Sequence, residues 1–453
     1  MPEKIRYSAT YGYNTPSTPP AVRGALKRIL LEGIPAELVL RVMGTFITPF
    51  AVALKATSLQ VGLLSAMPNL FGSLAQLLTP NLVSVFGSRK RLFMVMLPLS
   101  GVVWIPIAVL PWLFPSAQVW WLLGLVTLAF TLFLLPSPAW GSWVGQLLPV
   151  ERRGRFLGAR LTLASLIGVL AVLGLGQLLD LMHNRLFVGF SGIFFGMALL
   201  RFISALLLRT AYEPPVPEHK RQPLNLWPAL KGMVHTNLGR FVAINAMFQF
   251  SVCLAGPFFI VLMLRDLHFS YTTIILLQLV NTIAAMMGMQ VWGVLADKTG
   301  NMRVLRLATP LIGVMTFGWF AYQAPWWLAC VEALGGFSWA GYNIASINFV
   351  YESSTDEERA RNVSLFSALA GVGIFTGSIV GGILAPIVPT IFSYSLLSLV
   401  LASAVLRFAI GVFVLPVVKE VRSRREEAEN KRPAARHFTR FARWGTATWK
   451  ARV

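Results

Sequence analysis

The chain alternates long runs of apolar residues with short polar segments. Each run is close to the roughly 20 residues that a helix needs to cross the hydrocarbon core of a bilayer. Backbone groups inside lipid must be hydrogen-bonded within the protein, so the runs are predicted to be helices. The pattern therefore predicts an all-α integral membrane protein with about twelve transmembrane helices. The predicted spans lie near 33–55, 58–85, 92–114, 118–148, 156–181, 186–210, 238–264, 269–296, 304–323, 326–351, 362–388 and 391–417.

Composition supports the same class of protein. The chain is 56% hydrophobic and 13% charged, whereas soluble domains carry about a quarter charged residues. Cys253 and Cys330 both lie in apolar runs, which favours buried thiols over a disulfide or a metal site. We therefore expect no metal and no other cofactor.

The formal net charge of +21 could indicate nucleic-acid binding, but the positions of the basic residues indicate membrane topology instead. Nearly all of the 39 Lys and Arg residues lie on the same side of the predicted membrane as the N-terminus. The loops on the opposite side carry only Lys55, Arg185 and Arg265. Cytoplasmic loops are enriched in Lys and Arg, so both termini are predicted to be cytoplasmic. We expect contact with membrane lipids and no nucleic-acid partner.

A proline-rich polar segment interrupts the spans once and divides them into two sets of six. The predicted organisation is a cytoplasmic N-terminal segment, an N-terminal six-helix bundle, a cytoplasmic central loop, a C-terminal six-helix bundle and a basic cytoplasmic tail. Their boundaries are 1–30, 31–210, 211–237, 238–417 and 418–453. The tail mixes basic and aromatic residues, which fits either a membrane-surface segment or a disordered, solvated one.

Short sequence matches relate the two bundles. ERRGR at 151–155 matches EERAR at 357–361, and LRF at 200–202 matches LRF at 406–408 with the same separation. PNLVSVFGSRK from Pro80 matches GVLADKTGNMR from Gly293. The matches occur in the same order, so they predict two pseudo-symmetric halves.

The segment from Gly293 to Arg303 resembles the signature loop of the major facilitator superfamily. It reads G-x-L-A-D-K-x-G-x-x-R and follows the second helix of its half, as in that family. The N-terminal copy is degenerate, with Ser84 in place of the aspartate and Pro80 in place of the first glycine. The segment 140–158 is also similar to a bacterial subgroup of the family. The resemblance implies a transporter fold whose halves rock about a central site.

The signature loop is predicted to act in gating. Small Gly293 would permit close helix packing, and Asp297 could face the positive N-terminus of the fifth span, near Arg152. By the family pattern this contact would close the cytoplasmic side. Alternatively, Asp297 only anchors the loop at the lipid headgroups. The predicted gating residues are Gly293, Asp297, Gly300, Arg303, Arg153 and Arg155.

Glycines in the eleventh span have a spacing typical of tight helix packing. Simple close packing and a sliding contact are both open for this span. The glycines are Gly371, Gly373, Gly377, Gly381 and Gly382.

Polar and aromatic residues recur at helical spacing in the first, fourth, seventh, eighth and tenth spans. Such residues usually face protein or a water-filled cavity. In the resembled family, the first, fourth, seventh and tenth helices line the central cavity. Interhelical hydrogen bonding or packing is the alternative reading. The candidate substrate-binding residues are Glu37, Arg41, Thr45, Trp140, Trp143, Asn245, Gln249, Gln278, Asn281, Glu332, Trp339 and Asn343.

Glu37 and Glu332 are the deepest carboxylates of the predicted spans, which makes them candidates for proton coupling. Arg41 lies one turn from Glu37, so a structural ion pair is the alternative there. Arg201 and Arg407 occupy equivalent repeat positions and are predicted to extend towards the cytoplasmic interface. The cavity would then be poor in fixed charge, which favours a neutral or weakly charged organic solute.

The sequence thus favours a secondary active transporter in a plasma membrane. The resemblance to the bacterial subgroup implies that this is a bacterial inner membrane. It has no Walker-type phosphate loop, and all five His residues lie outside the predicted spans, so an ATPase or an enzyme is not expected. The expected partner is a small-molecule substrate, with protons as a candidate coupling ion. The alternative is a non-transporting relative that acts as a receptor, an assembly factor or a lipid or pigment chaperone.

Overall fold

The structure is a computed structural model, and it describes residues 19–113, 117–148, 150–215, 236–354, 359–390 and 394–421. The side chains of 150–155, 159, 359–361 and 395 are outside this description. The labelled helices are α1 Pro20–Ala53, α2 Ser58–Gln76, α3 Thr79–Phe86, α4 Arg89–Leu113, α5 Gln118–Leu134, α6 Ser137–Leu147, α7 Val150–Leu181, α8 Leu186–Arg209, α9 Asn237–Ala255, α10 Tyr271–Thr299, α11 Asn301–Ala321, α12 Pro325–Glu352, α13 Arg359–Leu384 and α14 Ser395–Ala409. Short helical turns extend α9 to Asp266 and α14 to Val417.

The helices confirm an all-α membrane fold. Over the described ranges, 10 helical segments are long and apolar enough to span a bilayer, and the bent pair α2–α3 raises this to 11. The remaining predicted span coincides with α12, which is 28 residues long. α12 carries Glu332, Ser338 and Asn343, and polar residues at membrane depth usually face protein or water.

Helix α1 begins at Pro20, well before the predicted span at 33. Pro is well suited to the first turn of a helix, where its missing N–H costs no hydrogen bond. Leu26 and Ile29 then pack in an apolar cluster with Leu92, Trp143 and other residues of α4, α6 and α8. Part of the predicted N-terminal segment therefore belongs to the packed N-terminal bundle.

The two halves repeat the same packing scheme. In the N-terminal half the main packed pairs are α1–α7, α1–α8, α2–α5, α4–α5 and α4–α8. In the C-terminal half the corresponding pairs are α9–α13, α9–α14, α10–α12, α11–α12 and α11–α14. Each pair recurs six spans later, so the repeat detected in the sequence is also a structural repeat.

The glycines of α13 permit close packing against α9. A Cβ at Gly373, Gly377 or Gly381 would overlap the carbonyl oxygen of Ala246, Phe250 or Leu254, respectively. Both series advance by four residues, so one glycine stripe follows one stripe of carbonyl groups. Gly382 faces the other half, where a Cβ would lie 2.9 Å from the Cα of Leu59.

The bundle has two ends, defined here by their loops. The basic end holds the loops between α3 and α4, α8 and α9, and α10 and α11, while the far end holds the loops beginning at 54, 182 and 267. The halves meet through α2–α13 and α7–α10. The Asp180 carboxylate accepts the backbone N–H groups of Tyr271 and Thr272, each at 2.9 Å. A Cβ at Gly62 would overlap the Ser378 carbonyl oxygen. The contacts made by these residues join the halves at the far end.

A glutamate closes each half at the basic end. Glu213, after α8, accepts the backbone N–H of Arg89 at 2.8 Å and pairs with its side chain at 3.2 Å. Glu420, after the last helical turn, accepts the backbone N–H of Met302 at 2.9 Å. Both carboxylates therefore bind the N-terminus of the third span of their own half, where free N–H groups favour an anion.

Candidate functional site

A polar pocket lies inside the N-terminal half, where α1 and α7 contribute an ion pair. Glu32 of α1 is only 5% exposed, and its carboxylate binds the Arg160 guanidinium of α7 at 3.0 Å. Arg160 also donates to the Ile29 carbonyl at 3.1 Å and lies over the Trp140 ring at 4.8 Å. These contacts hold the Arg160 guanidinium at the wall of a cavity of about 180 Å³.

The predicted pair of Glu37 and Arg41 forms an ion pair on α1. The two side chains are one turn apart and 2.8 Å from each other. Arg41 also donates to the Ser165 hydroxyl of α7 at 3.0 Å. The geometry supports the structural alternative that the sequence left open for this pair. Glu37 lines the N-terminal cavity and Arg41 lines a second one.

Arg201 lies in the wall of the same N-terminal cavity and does not extend to the membrane interface. Its side chain is 1% exposed and lies over the Phe133 ring at 4.7 Å. Arg407, its repeat equivalent, is 2% exposed and donates to the Thr316 hydroxyl and the Val252 carbonyl. The prediction that both arginines extend towards the interface is therefore wrong. Helix packing encloses both side chains because α8 and α14 lie within their halves.

A smaller cavity of about 50 Å³ lies between the halves. Thr45 of α1 donates to the Gln278 side chain of α10 at 3.3 Å across this boundary. Arg41 and Thr282 line the same cavity. The predicted cavity residues Thr45 and Gln278 are therefore brought together.

Asn281 and Glu332 form a third polar group, in the C-terminal half. The Asn281 amide donates to the Glu332 carboxylate at 2.8 Å and to its backbone carbonyl at 3.2 Å. A Cβ at Gly336 would overlap the Asn281 carbonyl, so α10 and α12 approach closely at this point. Glu332 is hydrogen-bonded to a neutral group, in contrast to Glu32 and Glu37.

Aromatic residues surround Asn245 in the C-terminal half. The Tyr342 hydroxyl donates to the Asn245 side-chain oxygen. Trp339 lies 5.5 Å from the Tyr342 ring, centroid to centroid. Gln249 is partly buried one turn further along α9, whereas Asn343 of α12 is exposed. The twelve predicted residues thus fall into separate groups rather than into a single site.

Two residues of α6, one of them a predicted cavity residue, have structural roles. Trp143 is fully buried, and its indole N–H donates to the Tyr212 carbonyl at 3.1 Å. It therefore packs in the core and is not a cavity residue as predicted. Gln146 accepts a hydrogen bond from Arg89 at 2.8 Å and is likewise part of the basic-end packing. Only Trp140 of these residues reaches the N-terminal cavity.

The predicted gating residues lie at the basic end. Asp297 and Arg303 are exposed. No described atom lies within 4 Å of a Cβ built at Gly293, so the expected close helix approach at this glycine is not present. Gly300 has φ +96°, which favours glycine and forms the turn into α11. The Arg153 and Arg155 side chains lie outside the described residues, so the proposed contact with Asp297 stays a prediction.

Sequence reasoning missed the main charged residues of the N-terminal cavity. Glu32 precedes the first predicted span, and Arg160, at the start of the fifth predicted span, is not among the candidate residues. Arg201 was assigned to the interface. A helix start at Pro20 was the available signal, because it places Glu32 inside the bundle, one turn before Ala36 and Glu37 on the same helix.

Comparisons with known proteins agree with this fold. The model of the Major Facilitator Superfamily matches residues 241–451. No curated protein sequence matches the chain. A variant of the nucleoside transporter NupG has a TM-score of 0.70 at 15% identity, covering 86% of this chain and 100% of that one. A bacterial homolog of the human lysosomal transporter Spinster, in an inward-facing and occupied conformation, has a TM-score of 0.65 at 14% sequence identity. The match covers 88% of this chain and 98% of the homolog. The inward-open xylose transporter XylE from E. coli has a TM-score of 0.64 at 12% sequence identity. The match covers 90% of this chain and 97% of XylE.

Proposed function

We propose that the chain is a secondary active transporter of the major facilitator superfamily. The family model matches residues 241–451, and the fold is similar to that of solved transporters, which supports the proposal. It would carry a small organic solute across a membrane by alternating access. The observation that carries the proposal is the pair of repeated halves that meet at the far end. There Asp180 and Gly62 of one half contact Thr272 and Ser378 of the other.

The proposed state is open towards the basic end. The far-end contacts seal one side of the boundary, while Asp297 and Arg303 of the signature loop are exposed at the other. The basic residues place that end in the cytoplasm by the positive-inside rule. We assign the chain to a bacterial inner membrane, with both termini cytoplasmic and lipids around the helices.

Glu332 is the residue assigned to proton coupling. Its carboxylate binds the neutral Asn281 amide, and it has no basic partner within the described part of the chain. Ionisable groups at membrane depth commonly mark proton pathways. Glu332→Gln should keep the contact with Asn281 but remove the response of uptake to an imposed proton gradient. A normal response in this variant would contradict the assignment.

The transport test begins with a thermal-stability screen of purified full-length protein. Its panel includes nucleosides and pentoses, because the similar structures include a nucleoside transporter and a xylose-proton symporter. A ligand at a hundredfold excess over its Kd stabilises the folded state by about 2.7 kcal/mol. The solute found is then used in counterflow measurements with reconstituted vesicles.

Two tryptophan variants of α7 provide matched controls for alternating access. A Cβ at Gly176 would overlap Ile275 of the other half, whereas a Cβ at Gly174 meets nothing within 4 Å in the described structure. Gly176→Trp should wedge the far end and reduce counterflow at least tenfold, while Gly174→Trp should retain it. Saturable binding without counterflow in the wild-type protein would support the receptor or chaperone alternative instead.

A further inference from the structure

The charged side chains that line the N-terminal cavity, counted with their ion-pair partners, include one more cation than anion. Five charged side chains lie in or beside it: Glu32, Glu37, Arg41, Arg160 and Arg201. Glu37 pairs with Arg41, and Glu32 pairs with Arg160. Arg201 is therefore one cation beyond the two ion pairs. This distribution differs from the charge-poor cavity that the sequence predicts.

Arg201 has unused hydrogen-bond donors. Its Nε and Nη2 atoms are buried and have no hydrogen-bond partner among the described residues. Glu32 interacts electrostatically with Arg201 but accepts no hydrogen bond from these two atoms. Buried donors usually have a hydrogen-bond acceptor as partner. The Phe133 ring lies 4.7 Å from the guanidinium and fixes its plane at the cavity wall.

The equivalent arginine of the other half has internal partners for both of its Nη atoms, and its Nε alone lacks a hydrogen-bond partner among the described residues. Arg407 donates from both Nη atoms, to Thr316 at 2.8 Å and to the Val252 carbonyl at 2.9 Å. Arg201 makes no hydrogen bonds equivalent to these two within the described part of the chain, and its side chain lines a cavity instead. Arg201 leaves Nη2 as well as Nε without a partner in the described structure and lies beside a cavity, which indicates that its partner enters from outside the chain.

We propose that this cavity binds a small amphipathic monocarboxylate, with Arg201 as its anion-binding residue. The inference rests on the proposed transport function and names its substrate class. Nε and one Nη of a guanidinium form a fork that matches the two oxygens of a carboxylate. One surplus positive charge suits a monoanion better than a dianion. Ala36, Leu40, Phe93 and Leu97 supply an apolar wall for the body of the solute.

Binding of benzoate to the detergent-purified full chain tests the proposal, with uncharged benzamide as the matched ligand. Benzoate should raise the Tm in a concentration-dependent way, and benzamide should bind at least tenfold more weakly. Arg201→Gln should weaken benzoate binding at least tenfold. Arg209→Gln removes an exposed arginine from the same helix and should leave binding unchanged.

Two further variants keep the test decisive if Arg201→Gln does not fold. Arg201→Lys keeps the charge but loses the fork, and it should bind benzoate more weakly than the wild type. Ala36→Leu keeps every charge and narrows the cavity, so its affinity for benzoate should also fall. Equal affinity for benzoate in all folded variants would overturn the assignment of the site.

The remaining outcomes separate this inference from the proposed transport function. Phosphatidylglycerol carries a phosphodiester anion; if it stabilises the protein through Arg201 and benzoate does not, the site binds lipid and the inference fails. If a neutral solute shows counterflow that Arg201→Gln retains, transport stands and the carboxylate site is wrong. Benzoate binding that depends on Arg201, without counterflow of any bound solute, supports the site and contradicts transport.

Discussion

The carboxylate of Asp180 accepts the backbone N–H of Tyr271 at 2.9 Å and so joins the last turn of α7 to the first turn of α10. The same carboxylate accepts the N–H of Thr272 through its other oxygen. The first N–H groups of a helix lack partners within the helix and favour a negative charge. One side chain of the N-terminal half thus caps a helix of the C-terminal half.

Amide hydrogen exchange should report this cap directly. Asp180→Ala removes a charged acceptor, and hydrogen bonds to charged groups contribute about 1.5–3 kcal/mol. The amides of Tyr271 and Thr272 should therefore exchange about tenfold faster or more in the variant. Asp266→Ala is the control, because Asp266 lies at the same end but its carboxylate pairs with its neighbour Arg265. Unchanged exchange in Asp180→Ala would show that the cap does not protect these amides.

The glycine stripe of α13 predicts a position-dependent cost for the same substitution. Gly377→Ala would place a methyl group against the Phe250 carbonyl of α9, and overpacking of this kind costs about 1–3 kcal/mol. A Cβ at Gly371 meets no described atom within 4 Å, so Gly371→Ala should be neutral or slightly stabilising. The Tm values of the two variants in detergent provide the comparison, and equal values would contradict tight α9–α13 packing.

The two closing glutamates should differ in their effect on stability. Arg89 is 2% exposed, and removal of one partner from a buried ion pair costs about 3–5 kcal/mol. Arg89 keeps Ser142, Gln146 and Pro214 as hydrogen-bond partners in Glu213→Ala. The loss of stability in this variant should therefore lie near the lower limit of that range. Glu420→Ala removes a helix cap, which costs about 1 kcal/mol. A larger loss of thermal stability for Glu420→Ala than for Glu213→Ala would contradict this order.

A substitution in the signature loop should change the transport rate without changing the stability of the protein. Asp297 is exposed in this state, so Asp297→Asn should leave the Tm unchanged. If Asp297 contacts the N-terminus of α7 when the basic end closes, the variant should transport several-fold more slowly. Arg240→Gln changes another exposed charge at the same end and should retain the wild-type rate. An unchanged rate in Asp297→Asn would remove the gating role.

The sequence predicted the helices and their repeat because both leave local signals. Apolar runs mark the spans, and the matching segments around Arg201 and Arg407 mark equivalent helices. The long-range pairing of helices then followed the same repeat in both halves. The helix start at Pro20 was missed because residues 20–30 contain basic residues, although Leu26 and Ile29 face the core.

The functional groups were less predictable because their surroundings depend on three-dimensional packing. Trp140 and Trp143 are three residues apart on α6, yet one reaches the cavity and the other is buried beside Tyr212. Arg201 and Arg407 have the same sequence context, but one lines a cavity and the other binds Thr316. No periodicity distinguishes such pairs, since the difference comes from neighbouring helices.

The closing glutamates also bear on how the chain is made. Glu213 binds Ser88 and Arg89, which are synthesised earlier, so the first half contains both partners of this contact before Asn237 leaves the ribosome. Domains generally fold as units during synthesis, N-terminal unit first. The second half repeats the arrangement, with Glu420 arriving after Met302. Biogenesis could therefore proceed as two successive insertions, each completed by its own last residues, followed by docking of the finished halves.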